Sequence, residues 1–363
     1  MKRVCFLLTS LESGGAENYT LRFLQYVQNK IEPVIICKNG KTGILEPQFK
    51  AANAQIVTLP QGFLKPKAWW NAFIFFKTNK IDSVCDFTGN FSGIYLLLAK
   101  LAGIRTRIAF YRRSSHAFNL TQINLLFDTI SNRLVQLYAT KILANSFHGL
   151  SFFHPGRNQS DKRYKVVPNG LDLQVYNSEI DKKSLKKELG IPQDAFVIGH
   201  TGRLNIAKNH VSMIKVAEVL VEAHEDIYFL FCGKDTDKLA SQSISDKLKK
   251  RLILLGYRDD IHRILKALDL YIFPSITEGQ PNALIEAMVS GLPFLASDIA
   301  PIKEIVPEEL YGNLFSPLET STFRRKIEEV YKNRVLLDGM CIKDEAKEMF
   351  SAKKNFNQLL QLL

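Results

Sequence analysis

The 363-residue sequence has no C-x-x-C pair, no long apolar run, no short repeat, no low-complexity tract and no acidic tail. Its five cysteines are Cys5, Cys37, Cys85, Cys232 and Cys341, and the first four lie in or beside short apolar runs such as Val34-Ile35-Ile36-Cys37. They read as reduced core residues rather than as a disulfide framework. After Met1-Lys2-Arg3 the apolar run Val4 to Leu8 is too short for a signal peptide and far too short to cross a bilayer, so the cytoplasm is the expected compartment.

What is present is the composition of an ordinary globular protein: 46% hydrophobic and 23% charged residues, with a mean hydropathy of -0.05. The length exceeds a single core, which predicts two domains. The net charge of +12 is unevenly placed. Residues 1–170 hold 22 Lys/Arg against 8 Asp/Glu, whereas the remainder holds 26 against 28. A basic first half could face nucleic acid, anionic lipid or a phosphorylated substrate, and charge alone does not choose.

The apolar run Arg3 to Ser10, the turn Leu11 to Gly15, a helical pattern over Ala16 to Asn29 and the run Pro33 to Cys37 predict a βαβ opening. Ser83 to Phe87, Arg107 to Tyr111, Lys141 to Asn145 and Lys165 to Val167 continue the alternation. A second series runs through Phe196 to Thr201, Ile227 to Cys232, Leu252 to Leu255, Leu270 to Pro274 and Pro293 to Ser297. The turn at Pro168-Asn169-Gly170 separates them. The expected fold is α/β, with two Rossmann-like parallel-sheet lobes facing each other across a cleft. The lobes are residues 1–170 and 171–345, and a C-terminal helix in 346–363 is placed to pack back on the first lobe.

Leu270 to Pro293 reads as strand, loop and helix, with Asn282 as N-cap after Pro281 and Gly291 and Pro293 as the stop. Amides of Asn282, Ala283 and Leu284 at the helix start would bind a diphosphate, with Gly279 and Gln280 on the approach. Glu278 and Glu286 bracket this site. The bland alternative is a capped helix with two solvated glutamates.

The segment resembles the E-x7-E motif of the retaining GT-B glycosyltransferases of glycosyltransferase family 4. The resemblance implies that Glu278 contacts a donor sugar and Glu286 the ribose of its nucleotide. It extends to Gly202-Arg203-Leu204 with Lys208-Asn209, where Arg203 and Lys208 would neutralise a departing nucleoside diphosphate. His210 reads as a helix-face residue rather than a catalyst. Ser13-Gly14-Gly15-Ala16-Glu17 is similar to the family's Gly-Gly-x-Glu loop, which assigns Gly14 and Gly15 to donor phosphate or acceptor; it is not a G-x-G-x-x-G fingerprint. Gly256-Tyr257-Arg258-Asp259-Asp260 resembles the loop holding the nucleotide base, largely by backbone, which brings in Tyr257 and Arg258.

Arg112, Arg113 and His116 follow a strand where relatives place residues facing the reaction centre, and they read equally as a surface basic cluster. Asp235 and Asp237 form a D-x-D, set aside as a polar loop because Arg203, Lys208 and the helix start already supply positive charge; no metal and no cofactor are expected. Lys65 to Lys77 gathers both tryptophans, three phenylalanines and lysines, as a membrane-interface helix or a core helix.

Together these features predict a metal-independent, retaining glycosyltransferase. It would move a sugar from a nucleotide diphosphate sugar, UDP-linked by preference, to a saccharide acceptor. That acceptor would be polyprenyl-diphosphate-linked, in synthesis of bacterial lipopolysaccharide, O-antigen or capsule, with the chain peripheral at an anionic membrane inner face. The competing readings are a nucleotide-sugar 2-epimerase on the same scaffold and a non-catalytic nucleotide-sugar-binding protein. Nucleic-acid binding ranks last, since no recognition motif accompanies the charge.

Overall fold

The computed structural model describes residues 1–59, 66–115, 121–177, 179–241, 244–334 and 342–363. The chain divides into two units, one formed by Met1–Leu171 with Phe350–Leu363 and the other by Asp172–Met349.

Seven parallel strands build the first unit: β1 (Lys2–Leu8), β2 (Ile31–Cys37), β3 (Gln55–Thr58), β4 (Ser83–Asp86), β5 (Thr106–Tyr111), β6 (Lys141–Ala144) and β7 (Tyr164–Val166). Their order is β3-β2-β1-β4-β5-β6-β7, with Val4 opposite both Pro33 and Ser83. Helices cover both faces, so the central strands are apolar on both sides; Val4 to Leu8 is entirely buried. One face packs Phe6, Phe87 and Phe110 against Tyr19 and Phe23 of the helix Gly15–Tyr26. The other packs Leu7, Ile36 and Ala109 against the helices Pro66–Thr78, Gly93–Leu101 and Gln122–Tyr138.

The final helix, Ala352–Leu362, belongs to the first unit although the whole second unit precedes it in sequence. Its Phe356 stands edge-on to Tyr19 at 5.4 Å and to Phe23 at 5.6 Å. Asn355 Nδ2 donates to the Asn169 carbonyl at 2.8 Å, and Leu171 N donates to Phe350 O at 2.8 Å. The two stretches of the first unit that flank the second unit in sequence are thereby bonded to each other.

Six parallel strands build the second unit: β8 (Phe196–Thr201), β9 (Ile227–Cys232), β10 (Leu252–Leu254), β11 (Leu270–Phe273), β12 (Phe294–Ser297) and β13 (Leu314–Phe315), in the order β10-β9-β8-β11-β12-β13. This is the doubly wound order, in which sequence direction across the sheet reverses between β8 and β11. Two strands had no sequence signal. Gln55–Thr58 and Leu314–Phe315 are short edge strands of four and two residues without a continuous apolar run.

In the helix Pro66–Thr78, Ala72 and Phe76 are buried in the core, as the core-helix reading expects, while Trp70 is 62% exposed; Lys65 lies outside the described residues. Cys5, Cys37, Cys85 and Cys232 are free and buried, and burial raises the thiols of Cys37 and Cys232 to about 11 and about 12; Cys341 lies outside the described residues.

Phe356→Ala deletes a ring with 1% exposure from an aromatic cluster, and it is expected to destabilise the first unit by about 3–5 kcal/mol in denaturant unfolding. An unchanged midpoint would show that the last helix is not part of that core.

Candidate active site

The loops leaving β8 and β11 emerge side by side, where the strand order of the second sheet reverses. Open α/β sheets bind ligands at this position, beyond the carboxyl ends of the strands. After β8 the chain runs through Gly202 and the exposed Arg203 to Asn205, whose Oδ1 accepts from Lys208 N at 3.0 Å and starts a single 3-10 turn. Asn209 then adopts a left-handed conformation, φ 58°, and turns the chain into the helix His210–Ala223. Asn tolerates that region better than most residues because its side chain bonds locally, here Nδ2 to the Pro317 carbonyl at 2.9 Å.

The loop after β11 is tied to this turn. Ile276 N donates to Ala207 O at 2.8 Å, and Lys208 Nζ reaches Glu278 Oε1 at 2.6 Å, with both side chains largely buried. The ammonium also lies 4.5 Å from the ring centroid of Phe273. Below the pair lies an aromatic floor absent from the motif reading. His200 Nδ1 bonds the Ile272 carbonyl at 2.9 Å, His200 stacks on Tyr271, and Tyr271 OH bonds Thr201 Oγ1 at 2.9 Å. Burial raises the Tyr271 hydroxyl, with the carboxylates of Glu286 and Glu278 adding to it, so it stays protonated.

One assignment is corrected. Pro281, not Asn282, occupies the cap of the helix Asn282–Val289, and no side chain caps it; Asn282 is its first helical residue. Proline favours the position through its fixed φ, here -81°. Ile285 N makes the first helical bond, to Pro281 O, so the amides of Asn282, Ala283 and Leu284 precede it. Glu286 lies in this helix and is buried, with Gln280 buried just before it and Gly279 partly open.

Three loop glycines hold the other side. Gly202 N donates to Cys232 O at 2.8 Å, and Gly233 N to Gly256 O at 2.7 Å. A Cβ on Gly233, whose φ is 151°, would collide with the Gly202 carbonyl. The exposed Tyr257 follows Gly256, while Arg258 is held by Asp260, Nε to Oδ1 at 2.7 Å. Asp235 pairs with Lys238 at 2.6 Å. Among the described residues no group of three His, Cys, Asp or Glu side chains is gathered as a metal set.

In the first unit, Gly14 is the extended cap of the helix Gly15–Tyr26, and Glu17 curls back so that a Cβ on Gly14 would strike its carboxylate; space around Gly15 is open. The surface-cluster reading of Arg112 and Arg113 is overturned. Arg112 stacks 3.8 Å from the Tyr19 ring centroid and donates to Asn169 Oδ1 at 2.7 Å, while its Nε and Nη1 are buried without a hydrogen-bond partner among the described residues. Burial lowers this guanidinium to about 10. Arg113 donates to Asn90 Oδ1 at 2.6 Å over the ring of Phe91. His116 lies outside the described residues. A buried pair that the motif reading missed, Lys38 Nζ to Asp86 Oδ2 at 2.7 Å, closes the carboxyl ends of β2 and β4, with Thr88 Oγ1 also 2.7 Å from the ammonium.

With this geometry established, likeness to known proteins becomes informative. Residues 181–355 match the family described as Glycosyl transferases group 1. Over 180 residues the chain is 34% identical to the UDP-Gal:alpha-D-GlcNAc-diphosphoundecaprenol alpha-1,3-galactosyltransferase of Escherichia coli, covering 48% of this chain and 46% of that protein. The chain therefore spans about half the length of that relative. Over 358 residues it is 24% identical to the N-acetylgalactosamine-N,N'-diacetylbacillosaminyl-diphospho-undecaprenol 4-alpha-N-acetylgalactosaminyltransferase of Campylobacter jejuni, covering 92% of this chain and 94% of that one. The crystal structure of Anabaena Alr3699/HepE in complex with UDP and glucose superposes with a TM-score of 0.82 at 20% identity, covering 99% of both chains. The second unit is thus similar in sequence to glycosyltransferases, and the whole chain shares the fold of the Anabaena protein.

Gly233→Ala should force the β8 and β9 loops apart and lower the thermal midpoint of the second unit by several degrees, at about 2–4 °C per kcal/mol; an unchanged melting curve would disprove the close approach. A second expectation concerns acid. Burial holds His210 at about 4 and His200 well below the ordinary imidazole range. The unfolded chain binds protons at these residues near pH 6.5, the folded chain does not. Stability is therefore lost as pH falls from about 6.5 toward 4, by up to about 1.4 kcal/mol per pH unit for each histidine. Urea unfolding of the second unit at neutral pH and at about pH 5 measures the slope, and a pH-independent midpoint would contradict it.

Proposed function

We propose that the second unit holds a nucleotide diphosphate sugar over the Lys208–Glu278 pair and that the chain transfers the sugar to a lipid-linked saccharide acceptor. The observation that carries this reading is the pair itself, a largely buried lysine and glutamate 2.6 Å apart on the two loops at the strand-order reversal. A buried ion pair adds little net stability over apolar packing, so its placement favours chemistry over folding.

The donor diphosphate lies between Arg203, Lys208 and the amides of Asn282, Ala283 and Leu284. A planar guanidinium, a point charge and a helix start together offset the negative charge that grows on the leaving group, without a metal or other cofactor. Glu278 faces the transferring sugar, where it also orients Lys208, and Glu286 accepts from the ribose hydroxyls. The loop at Gly256 and Tyr257 borders the base. The first unit receives the acceptor around Gly14, Gly15, Arg112 and Arg113. Transfer occurs with retention, by same-face attack with the leaving phosphate as base, as expected of glycosyltransferase family 4.

A UDP-sugar is the favoured donor, because the E. coli relative is named for UDP-Gal and the Anabaena structure contains UDP and glucose. The E. coli and C. jejuni relatives are both named for acceptors linked to undecaprenol through a diphosphate, which favours a polyprenyl-diphosphate acceptor here and a role in lipopolysaccharide, O-antigen or capsule synthesis. Such an acceptor places the chain at the inner face of the cell membrane.

Calorimetric titration of the full chain with UDP and with GDP, in chelator, tests the donor assignment. UDP should bind in preference to GDP, and Arg203→Ala should weaken it at least tenfold, about 1.4 kcal/mol. Failure of both nucleotides to bind would leave the chain without a donor site.

A further inference from the structure

The helix Gln122–Tyr138 buries Val135 in the core, yet it also carries a second apolar stripe that faces outward. Asn132 Nδ2 donates inward to the Phe153 carbonyl at 2.6 Å, Tyr111 OH bonds Asn132 Oδ1, and Asp128 bonds Asn90. Outward it shows Leu126, Ile130 and Leu137, each more than half exposed, with Arg133 on the same stripe at steps of four, three and four residues. An ordinary surface helix has one apolar stripe, in the core, and shows polar residues to water.

The neighbouring helices extend this face. Gly93–Leu101 packs beside Gln122–Tyr138, and Pro66–Thr78 packs beside Gly93–Leu101. They add Leu101, Trp70 and Ile74 to the exposed apolar residues. The charges on the three helices are nearly of one sign: Lys67, Lys77, Lys100 and Arg133 are exposed, and the single carboxylate, Asp128, is the one bonded to Asn90. An apolar patch with a cationic rim and no outward carboxylate is not a solvated surface.

We propose that this three-helix face docks the chain on an anionic lipid surface, with Leu126, Ile130, Leu137 and Trp70 entering the headgroup boundary and Lys67, Lys77, Lys100 and Arg133 meeting lipid phosphates. Apolar side chains entering the interface, with Lys and Arg stems reaching back to the headgroups, are how an interfacial helix binds. A second copy of the chain fits less well. In a two-fold interface the same patch meets itself, bringing the cations together with no carboxylate to offset them. The proposal deepens the reading above by naming the face turned to the membrane, and depends on that reading only for a reason to be there.

The test is flotation of the full chain with phosphatidylcholine vesicles, with and without phosphatidylglycerol. The wild type should float with the anionic vesicles only, and added salt should release it. Leu126→Glu/Ile130→Glu should lower the bound fraction at least tenfold, while the second unit's Val219→Glu leaves it unchanged. Because the double variant could lose fold rather than contact, its thermal midpoint and UDP binding are measured alongside. Lys77→Glu/Lys100→Glu, which alters only exposed charges, should independently weaken anionic binding. Wild-type protein that stays in solution, or variants that float as well as wild type, would overturn the proposal. So would a wild-type dimer that Leu126→Glu/Ile130→Glu dissociates without any vesicle binding, which would identify a second copy as the occupant. Flotation as expected from a chain that binds no nucleotide would leave this surface standing and remove the donor reading instead.

Discussion

The Lys208–Glu278 ion pair is the contact around which the second unit's carboxyl edge is organised. Its two members lie on the loops that follow adjacent strands and are 70 residues apart in sequence, so it can form only if β8 and β11 pair side by side and their loops leave in register. The Ile276–Ala207 backbone bond fixes the loops, Tyr271 and Thr201 lock the strand ends, and Gly233 lets the neighbouring turn approach where a side chain would not fit. Each of these serves a geometry whose direct contribution to stability is small.

The first unit follows a related plan with a different outcome. Its sheet begins with the same strand order, and a lysine and an aspartate again meet at the carboxyl edge. There, however, Lys38 and Asp86 are almost fully buried, and Thr88 and the ring of Tyr95 complete the lysine's surroundings. That pair is closed and structural. In the first unit the space at Gly15 is open, while Arg112 Nε and Nη1 are buried with no hydrogen-bond partner among the described residues.

Sequence made the architecture legible because parallel strands covered on both faces are written as continuous apolar runs, as in Val4 to Leu8 and Ile227 to Cys232. It also marked Lys208 and Glu278, because motif spacing reports loops that a fold brings together. It did not reveal Lys38 with Asp86, whose residues sit in no motif and become partners only through the β2-β1-β4 order. Local pattern assigned Asn282 the cap that Pro281 holds, since Asn has the better side chain for that position but Pro has the required φ. Arg112 and Arg113 read equally as surface charge and as site residues, because composition cannot show that Tyr19, Asn169, Asn90 and Phe91 converge on them. The outward leucines of Gln122–Tyr138 have helical spacing, and spacing alone does not say which side faces the core.

The most direct test of the central claim is the steady-state rate of sugar transfer to a diphosphate-linked lipid acceptor by wild type, Lys208→Met, Glu278→Gln and the double variant. If the pair works as a unit at the reaction centre, each single change lowers kcat at least a hundredfold, about 3 kcal/mol, with acceptor KM little altered and the double variant no worse than the worse single one. Full turnover in both single variants would place the chemistry elsewhere.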